Sequence, residues 1–194
     1  MSEAEKQLLQ LLKDRSFALG EFRLASGGPS NYYIDGRMTA VFSRGASLIG
    51  EVLYQRTKDL GCDAIGGLEV GAVPLTTAAV ISYHHHGREM EGFWVRDAAK
   101  GHGTQKIIEG NLKPGSRVVI VDDVATRGSS VVKAIKEVRG IGCEVVLVVT
   151  LVDRLCGAER LFREHGVTNY QPVFTVHDLG VPVDVRGEPE GHSR

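Results

Sequence analysis

Residues 117–130, Arg117-Val-Val-Ile-Val-Asp-Asp-Val-Ala-Thr-Arg-Gly-Ser-Ser130, constrain this chain more than any other stretch. Four apolar β-formers, Val118 to Val121, run directly into two carboxylates and then into a small, hydroxyl-rich turn. Such a run, bounded by turn residues, predicts a buried strand that delivers Asp122 and Asp123 to its carboxyl end. Beyond the turn, Val131, Ala134, Ile135 and Val138 recur at helical spacing as far as Gly140. The unit therefore reads strand, loop, helix, with Ser129 or Ser130 placed to cap the helix. Free backbone N–H groups at a helix start attract phosphate. Carboxylates do not hold phosphate, but they accept hydrogen bonds from sugar hydroxyls and can sit near a magnesium ion. Acids beside an anion cradle point to a phosphorylated sugar. Two other readings stay open. The acids can simply end a strand while the hydroxyls make a turn, or the pair can belong to a receiver-type phosphoacceptor domain, where it stands nearer the amino terminus of a shorter chain.

With 194 residues, 42% of them hydrophobic, the chain suffices for one domain with a sizeable core. That domain is expected over residues 1–180, with residues 1–40 forming a helix and a hairpin and residues 181–194 a polar tail. A net charge of -1 leaves no global basic footprint, which argues against nucleic acid as the main partner. Cys62, Cys143 and Cys156 are odd in number and widely spaced, so they read as reduced thiols rather than a disulfide framework or a zinc site. The first residues lack a basic segment followed by an apolar run, and no apolar stretch approaches the ~20 residues needed to span a bilayer. A cytoplasmic protein without a membrane partner is expected.

Leu8, Leu9, Leu11 and Leu12 share a stripe that predicts an amphipathic helix over 3–14. Alternation around Phe22 and Leu24, a Ser-Gly-Gly-Pro-Ser turn, and Tyr32 with Ile34 predict a hairpin. Ser43 is placed to cap a helix that buries Ala46, Ile49, Leu53 and Leu60 and stops at Gly61. A short strand at 62–67 leads through Gly66 and Gly67 into a helix with Pro74 in its first turn, closed by His84, His85 and His86. Adjacent histidines do not share a helical face, so they suit the helix dipole better than a metal. A strand at 92–95 precedes a glycine-interrupted cationic loop offering Arg96, Lys100, His102 and Lys106. The run 144–152 suits a strand buried on both faces, and it delivers Arg154 to a carboxyl end, where open α/β sheets place ligands. A helix near 158–165 and a strand at 171–176 complete the order. The fold class implied is α/β, a mostly parallel central sheet flanked by helices, with a small amino-terminal hood.

These residues resemble the type I phosphoribosyltransferases, whose hallmark is an apolar strand, paired acids and a Thr-x-Gly-x-Ser type loop. Within that family the likeness narrows to the orotate-using branch. It is carried by Phe22-x-Leu24-x-Ser26-Gly27-x-x-Ser30-x-Tyr32-Tyr33-x-Asp35-x-Arg37, by Arg96-x-x-x-Lys100-x-His102-Gly103, by Ile108-Glu109-Gly110 and by Asp153-Arg154. The resemblance spans roughly residues 5 to 180. It implies transfer of a phosphoribosyl group from phosphoribosyl pyrophosphate to orotate, with Mg2+. Lys100, Asp122 and Asp123 would be catalytic. Arg96, Lys100 and His102 would meet the pyrophosphate, the two acids the ribose hydroxyls, and Val124, Ala125, Thr126, Arg127, Gly128, Ser129 and Ser130 the 5′-phosphate loop. Thr126 and Arg154 would meet orotate.

The resemblance also implies a cis peptide at Glu69-Val70 and a homodimer whose cationic loops serve the neighbouring subunit. The chain departs from the family pattern at Ala25, Gly71 and Asp97, where many members carry lysines. An acid at 97 is expected to weaken pyrophosphate binding, so Asp97→Lys is expected to raise activity. Two other functions remain in view: transfer to a different base, and a non-catalytic sensor of phosphoribosyl pyrophosphate.

Overall fold

The computed structural model describes residues 1–23, 29–97 and 106–182. Helix α1, Glu3–Arg15, begins with a reciprocal cap: Glu5 N donates to Ser2 Oγ at 3.1 Å and Ser2 N to Glu5 Oε2 at 2.8 Å. Of its leucine stripe, Leu8 and Leu12 are fully buried. Strands β1, Phe17–Arg23, and β2, Pro29–Ile34, pair antiparallel as a separate two-stranded hood. The turn of this hairpin, with Leu24, Ser26 and Gly27 of the family signature, lies outside the described residues.

After the hood come α2, Arg37–Ala40, a single turn that no periodicity announced, and then α3, Ser43–Thr57. Phe42, not Ser43, occupies the cap position of α3, and no side chain caps it. The helix ends at Thr57, so Leu60 and the left-handed Gly61 (φ 60°) lie in the turn beyond it. The order continues with β3 Ala64–Leu68, α4 Ala72–His85, β4 Glu91–Val95, β5 Ile108–Gly110, β6 Arg117–Ala125, α5 Ser129–Gly140, β7 Glu144–Asp153, α6 Ala158–Glu164 and β8 Phe174–Thr175. Strand β8 is shorter than the strand expected at 171–176. Pro172 has no N–H to give a ladder, so pairing is confined to a bridge at Tyr170 and two residues beyond it.

Among the described residues the main sheet has the order β5-β4-β3-β6-β7-β8, parallel except for β5 at its edge. The twofold period of β6 decides which helices cover which face. Val119 and Val121 point into a core shared with Leu8 and Leu12 of α1, Ile49 and Leu53 of α3, and Leu75 and Ala79 of α4. Val118 and Ile120 point to the other face, against Val131, Ile135 and Val138 of α5 and Phe162 of α6. The first core continues to Val181, one residue into the stretch that composition assigns to the tail. Residues 183–194 lie outside the described residues.

The histidine-rich end of α4 has a packing role. The His86 ring stacks on Tyr54 of α3, 3.9 Å between centroids and 2° from parallel, and its Nε2 lies 2.8 Å from Glu51 Oε2. The hydrogen bond from His86, followed by one from Gln55, holds the Glu51 carboxyl below its ordinary value of 4.5. A depressed carboxyl contributes stability that is present above its unfolded pKa and lost as pH falls through the lower folded one. Both partners are more than one-third exposed, so the contribution is small, ~0.5 kcal/mol. His86→Ala is expected to lose about that much in urea unfolding near pH 6, and to flatten the decline in stability below pH ~4.5. Equal slopes in wild type and variant would disprove the link.

Candidate active site

Strands β3 and β6 pair only as far as Gly66 and Ile120. Beyond that point their connections part, because β3 leads into α4 on one face of the sheet and β6 into α5 on the other. A crevice opens where such crossovers diverge at the carboxyl ends of parallel strands. Asp122 and Asp123 stand in it, at the end of the apolar run that buries β6. A cavity of about 1210 Å³ extends from them across the 124–130 loop to Arg154 and the end of the hood.

The two acids share little water. Asp122 is 8% exposed, and its Oδ1 accepts the N–H of Asp123 at 3.0 Å. Burial first, and then the charge of Asp123, push the Asp122 carboxyl well above its ordinary range. Burial also raises Asp123. The backbone N–H of Val124 opposes that rise, the charge of Asp35 adds to it, and the charge of Arg37 subtracts from it. Neighbouring carboxylates in this setting titrate as a pair.

The loop after the acids turns through Gly128, which occupies the cap position of α5 in the left-handed conformation, φ 83°. Ser129 is the first helical residue, and neither it nor Ser130 caps the helix through its side chain. A Cβ at 128 would stand 2.4 Å from the Phe162 ring, so glycine is required both by the dihedral and by the close packing on α6. The first-turn N–H groups of α5 thus face the cavity without a side-chain cap, the condition under which a helix start receives an anion.

Arg154 lies just beyond β7 and is 4% exposed. Its Nη2 donates to Ser30 Oγ at 3.1 Å and its Nε to the Tyr32 hydroxyl at 3.3 Å, while the guanidinium lies 4.5 Å from the Tyr32 ring centroid. Its own N–H donates to Ala125 O at 2.9 Å, which ties it to the end of the acid-bearing strand. Among the described residues no carboxylate comes within ion-pair distance of it. A buried guanidinium that meets hydroxyls and a π face among the described residues is prepared for an anionic ligand.

Asp122, Asp123, Val124, Ala125, Thr126, Arg127, Gly128, Ser129, Ser130 and Arg154 all line this cavity. Arg96 does not. It stands just beyond β4, donates its N–H to Ile107 O at 2.8 Å, and places Nη1 3.5 Å from Glu109 Oε1. Lys100 and His102 lie outside the described residues. The structure adds wall residues that spacing did not single out as a site: Asp35 and Arg37 from the passage of β2 into α2, Glu69 from the β3–α4 turn, and Arg160 from α6. Ser30 and Tyr32 hold Arg154 from behind. The motif around Tyr32 and Asp35 was visible in the sequence; its meeting with β6 and β7 was not.

Two of the missing lysines acquire a physical reason. A Cβ at Gly71 would stand 2.6 Å from Asp123 Oδ1 and 2.7 Å from Asp122 Oδ1, so a side chain at 71 would displace the acid pair. Asp97 Oδ1 lies 2.8 Å from Lys133 Nζ of α5, which also donates to the Asp97 carbonyl. The Asp97 N–H donates to Glu69 Oε1 at 3.1 Å. Asp97 thus joins α5 to the β3–α4 turn, and a lysine there would face Lys133, which removes the reason for expecting a gain from Asp97→Lys. The peptide between Glu69 and Val70 is cis, as the resemblance implied.

Residues 43–176 match the family model described as "Phosphoribosyl transferase domain". The orotate phosphoribosyltransferase of Corynebacterium glutamicum is 39% identical over 180 residues, 93% of this chain and 96% of that protein. That of Streptomyces coelicolor is 38% identical over 181 residues, 93% of this chain and all of that protein. The chain belongs to the phosphoribosyl transferase family, among the orotate phosphoribosyltransferases. Solved structures agree. The Mycobacterium tuberculosis orotate phosphoribosyltransferase superposes with TM-score 0.81 at 37% identity in its Fe(III) dicitrate complex, over 92% of this chain and 99% of that one. In its complex with 5-phospho-α-D-ribosyl 1-diphosphate the values are 0.75 and 31%, over 93% of both chains. The adenine phosphoribosyl transferase of Trypanosoma brucei, 15% identical with TM-score 0.70 over 99% of this chain and 90% of that one, shares the fold.

For a phosphoribosyltransferase the buried acid pair sets function against stability. A carboxyl whose folded pKa is raised above its unfolded value contributes stability present below the unfolded pKa and lost as pH rises through the folded one. Asp122→Asn, which cannot ionise, is therefore expected to raise Tm at neutral pH while lowering kcat/KM by ~10- to 100-fold, the loss of a charge-assisted acceptor. A variant that melts at or below wild type at neutral pH would show that Asp122 carries no such penalty.

Proposed function

We propose that the protein transfers the phosphoribosyl group of phosphoribosyl pyrophosphate to a ring nitrogen of orotate, giving orotidine 5′-monophosphate and pyrophosphate, as a magnesium-dependent cytoplasmic homodimer. The observation that carries the reading is Arg154, a buried guanidinium with no acid beside it among the described residues, on the wall that also holds the acid pair and the open start of α5. Orotate brings a planar carboxylate, and a guanidinium fork bonds both oxygens of one. Thr126, on the same wall, is the neutral partner assigned to the pyrimidine.

Phosphoribosyl pyrophosphate matches the rest of the cavity. Its 5′-phosphate fits the uncapped first turn of α5 and the backbone from 125 to 130, and its ribose hydroxyls fit Asp122 and Asp123 as acceptors. As the bond from the anomeric carbon to the pyrophosphate oxygen lengthens, positive charge grows on the ribose and negative charge on the leaving group. Fixed charges held away from water stabilise both. The acids lie on the ribose side. Lys100, with Arg96 and His102, is assigned to the pyrophosphate on the strength of the motif they form.

Among the described residues no cluster of three or more His, Cys, Asp or Glu is arranged to hold a metal ion. Magnesium would come with the pyrophosphate of the substrate and neutralise its charge, and no side chain is assigned as its ligand. No helix among the described residues is long and apolar enough to cross a membrane.

The decisive assay measures the loss of orotate absorbance with phosphoribosyl pyrophosphate and magnesium. Arg154→Ala is expected to lower kcat/KM for orotate by ~10- to 100-fold, the equivalent of one charge-assisted pair, and to leave phosphoribosyl pyrophosphate binding much less affected. Unchanged orotate kinetics would remove Arg154 from the site.

Shared loops in the homodimer are tested by mixing Lys100→Ala, which spoils a donated loop, with Arg154→Ala, which spoils a receiving pocket. After random exchange about half the dimers are mixed, and each joins one intact loop to one intact pocket across the twofold. About a quarter of wild-type activity is expected to return. No recovery, with exchange confirmed by mass, would place each loop in its own subunit.

A further inference from the structure

The hood reaches the acid pair through Asp35, Gly36 and Arg37, a segment to which the transfer reaction itself gives no role. Gly36, between β2 and α2, packs so closely on β6 that a Cβ there would stand 2.8 Å from Asp123 Cβ and 3.1 Å from its Oδ2. Asp35 and Arg37 flank this contact, and both face the cavity. Their side chains clasp each other: Arg37 Nε donates to Asp35 Oδ1 at 2.8 Å and Nη2 to Oδ2 at 2.7 Å, with the Arg37 N–H on Oδ1 at 3.1 Å. Three donors from one residue leave the guanidinium little freedom. Its orientation is set by the hood rather than by solvent, although the side chain is half exposed.

The charges around Asp123 explain why such a clasp belongs here. Asp35, just before α2, brings negative charge that opposes ionisation of Asp123. Arg37 is the cation whose field favours the charged form of Asp123. Asp123 in turn helps to hold the Arg37 guanidinium well on the charged side of its equilibrium, after Asp35 itself. Among the described residues the ion-pair partner of Arg37 is Asp35 and not Asp123, so the guanidinium does not occupy the acceptor oxygens of Asp123. That arrangement leaves Asp123 available to a ligand.

We propose that Arg37, clasped by Asp35, is a positioning residue for the ribose site: it sets a fixed positive charge beside Asp123 that favours this carboxylate as an acceptor for the hydroxyls of the phosphoribosyl substrate. The proposal rests on the assignment of Asp123 to the ribose. It makes the hood a working part of the phosphoribosyl site as well as the support for Arg154, because one strand, β2, carries Ser30 and Tyr32 to the arginine and leads into Asp35 and Arg37 at the acids.

A double-mutant cycle tests it, since residues that act through one another are not additive. kcat/KM for phosphoribosyl pyrophosphate is measured for wild type, R37Q, D123N and R37Q/D123N. R37Q is expected to cost about tenfold in the wild-type background and less than about twofold in D123N. R37K, which keeps the charge while losing the fork, is expected to fall between wild type and R37Q. D35N, which releases the guanidinium without removing it, is expected to lose activity in the wild-type background and not in D123N. An equal cost of R37Q in both backgrounds, or R37K no better than R37Q, would reduce Arg37 to hood packing or to a direct substrate contact and overturn the proposal. D123N with wild-type kcat/KM would remove Asp123 from the ribose site and the proposal with it.

Discussion

Two carboxylates side by side at the end of a buried central strand are the constraint on which the rest of this structure depends. Asp122 is buried and Asp123 partly so; burial raises both carboxyls, and the charge of Asp123 raises Asp122 further. The surroundings answer in kind. At Gly71 the backbone approaches both acids so closely that no side chain fits. On the other side Gly36 packs against Asp123 and brings Arg37 within reach of its charge. A pair kept this dry is costly to the folded protein, as is common where charge is stored for a ligand. The cost has a use if sugar hydroxyls and a developing positive charge arrive to meet it.

Positive charge is handled differently on the other side of the cavity. Arg154 is buried with hydroxyl groups and an aromatic face rather than with an acid. Tyr32 fits this role because burial pushes its hydroxyl above the ordinary tyrosine range, so it stays neutral beside the guanidinium. The site thus separates its charges, with acids on β6 and a cation after β7, and the uncapped start of α5 closes the loop between them. Both ends of that separation are braced by the hood. A two-stranded hairpin outside the main sheet therefore controls the geometry of residues that the main sheet supplies.

Asp97 shows how a departure from a family pattern can acquire a packing partner that the sequence does not announce. Against the motif it is an acid where a lysine is common, which argues for a penalty. In the fold it meets Lys133 and shares Glu69 with its backbone N–H, so it fastens the end of β4 to α5 and to the turn before α4. The compensating lysine lies 36 residues away in the chain, on another element. No local pattern connects them.

Much of the site was legible because strand and loop chemistry are local. Val118 to Val121 specify a buried strand, and the residues next in the chain are carried to the end of that strand, so Asp122 and Asp123 and the loop through Ser130 could be placed together. Arg154 could be placed for the same reason. Helix caps were less legible: Gly128 and Phe42 took positions that the neighbouring serines suit by preference, because packing against Phe162 and the approach of the chain from α2 set the backbone there. The sequence by itself determined the order of elements apart from α2 and β5, the mostly parallel sheet and the chemistry of the acid-bearing loop, since these depend on periodicity and on residue types adjacent in the chain. Only the tertiary structure decided that Asp35 and Arg37 face Asp123, that Ser30 and Tyr32 carry Arg154, and that Asp97 belongs to Lys133. Those meetings join residues far apart in sequence, and they are fixed by how the hood and the crossovers pack on the sheet.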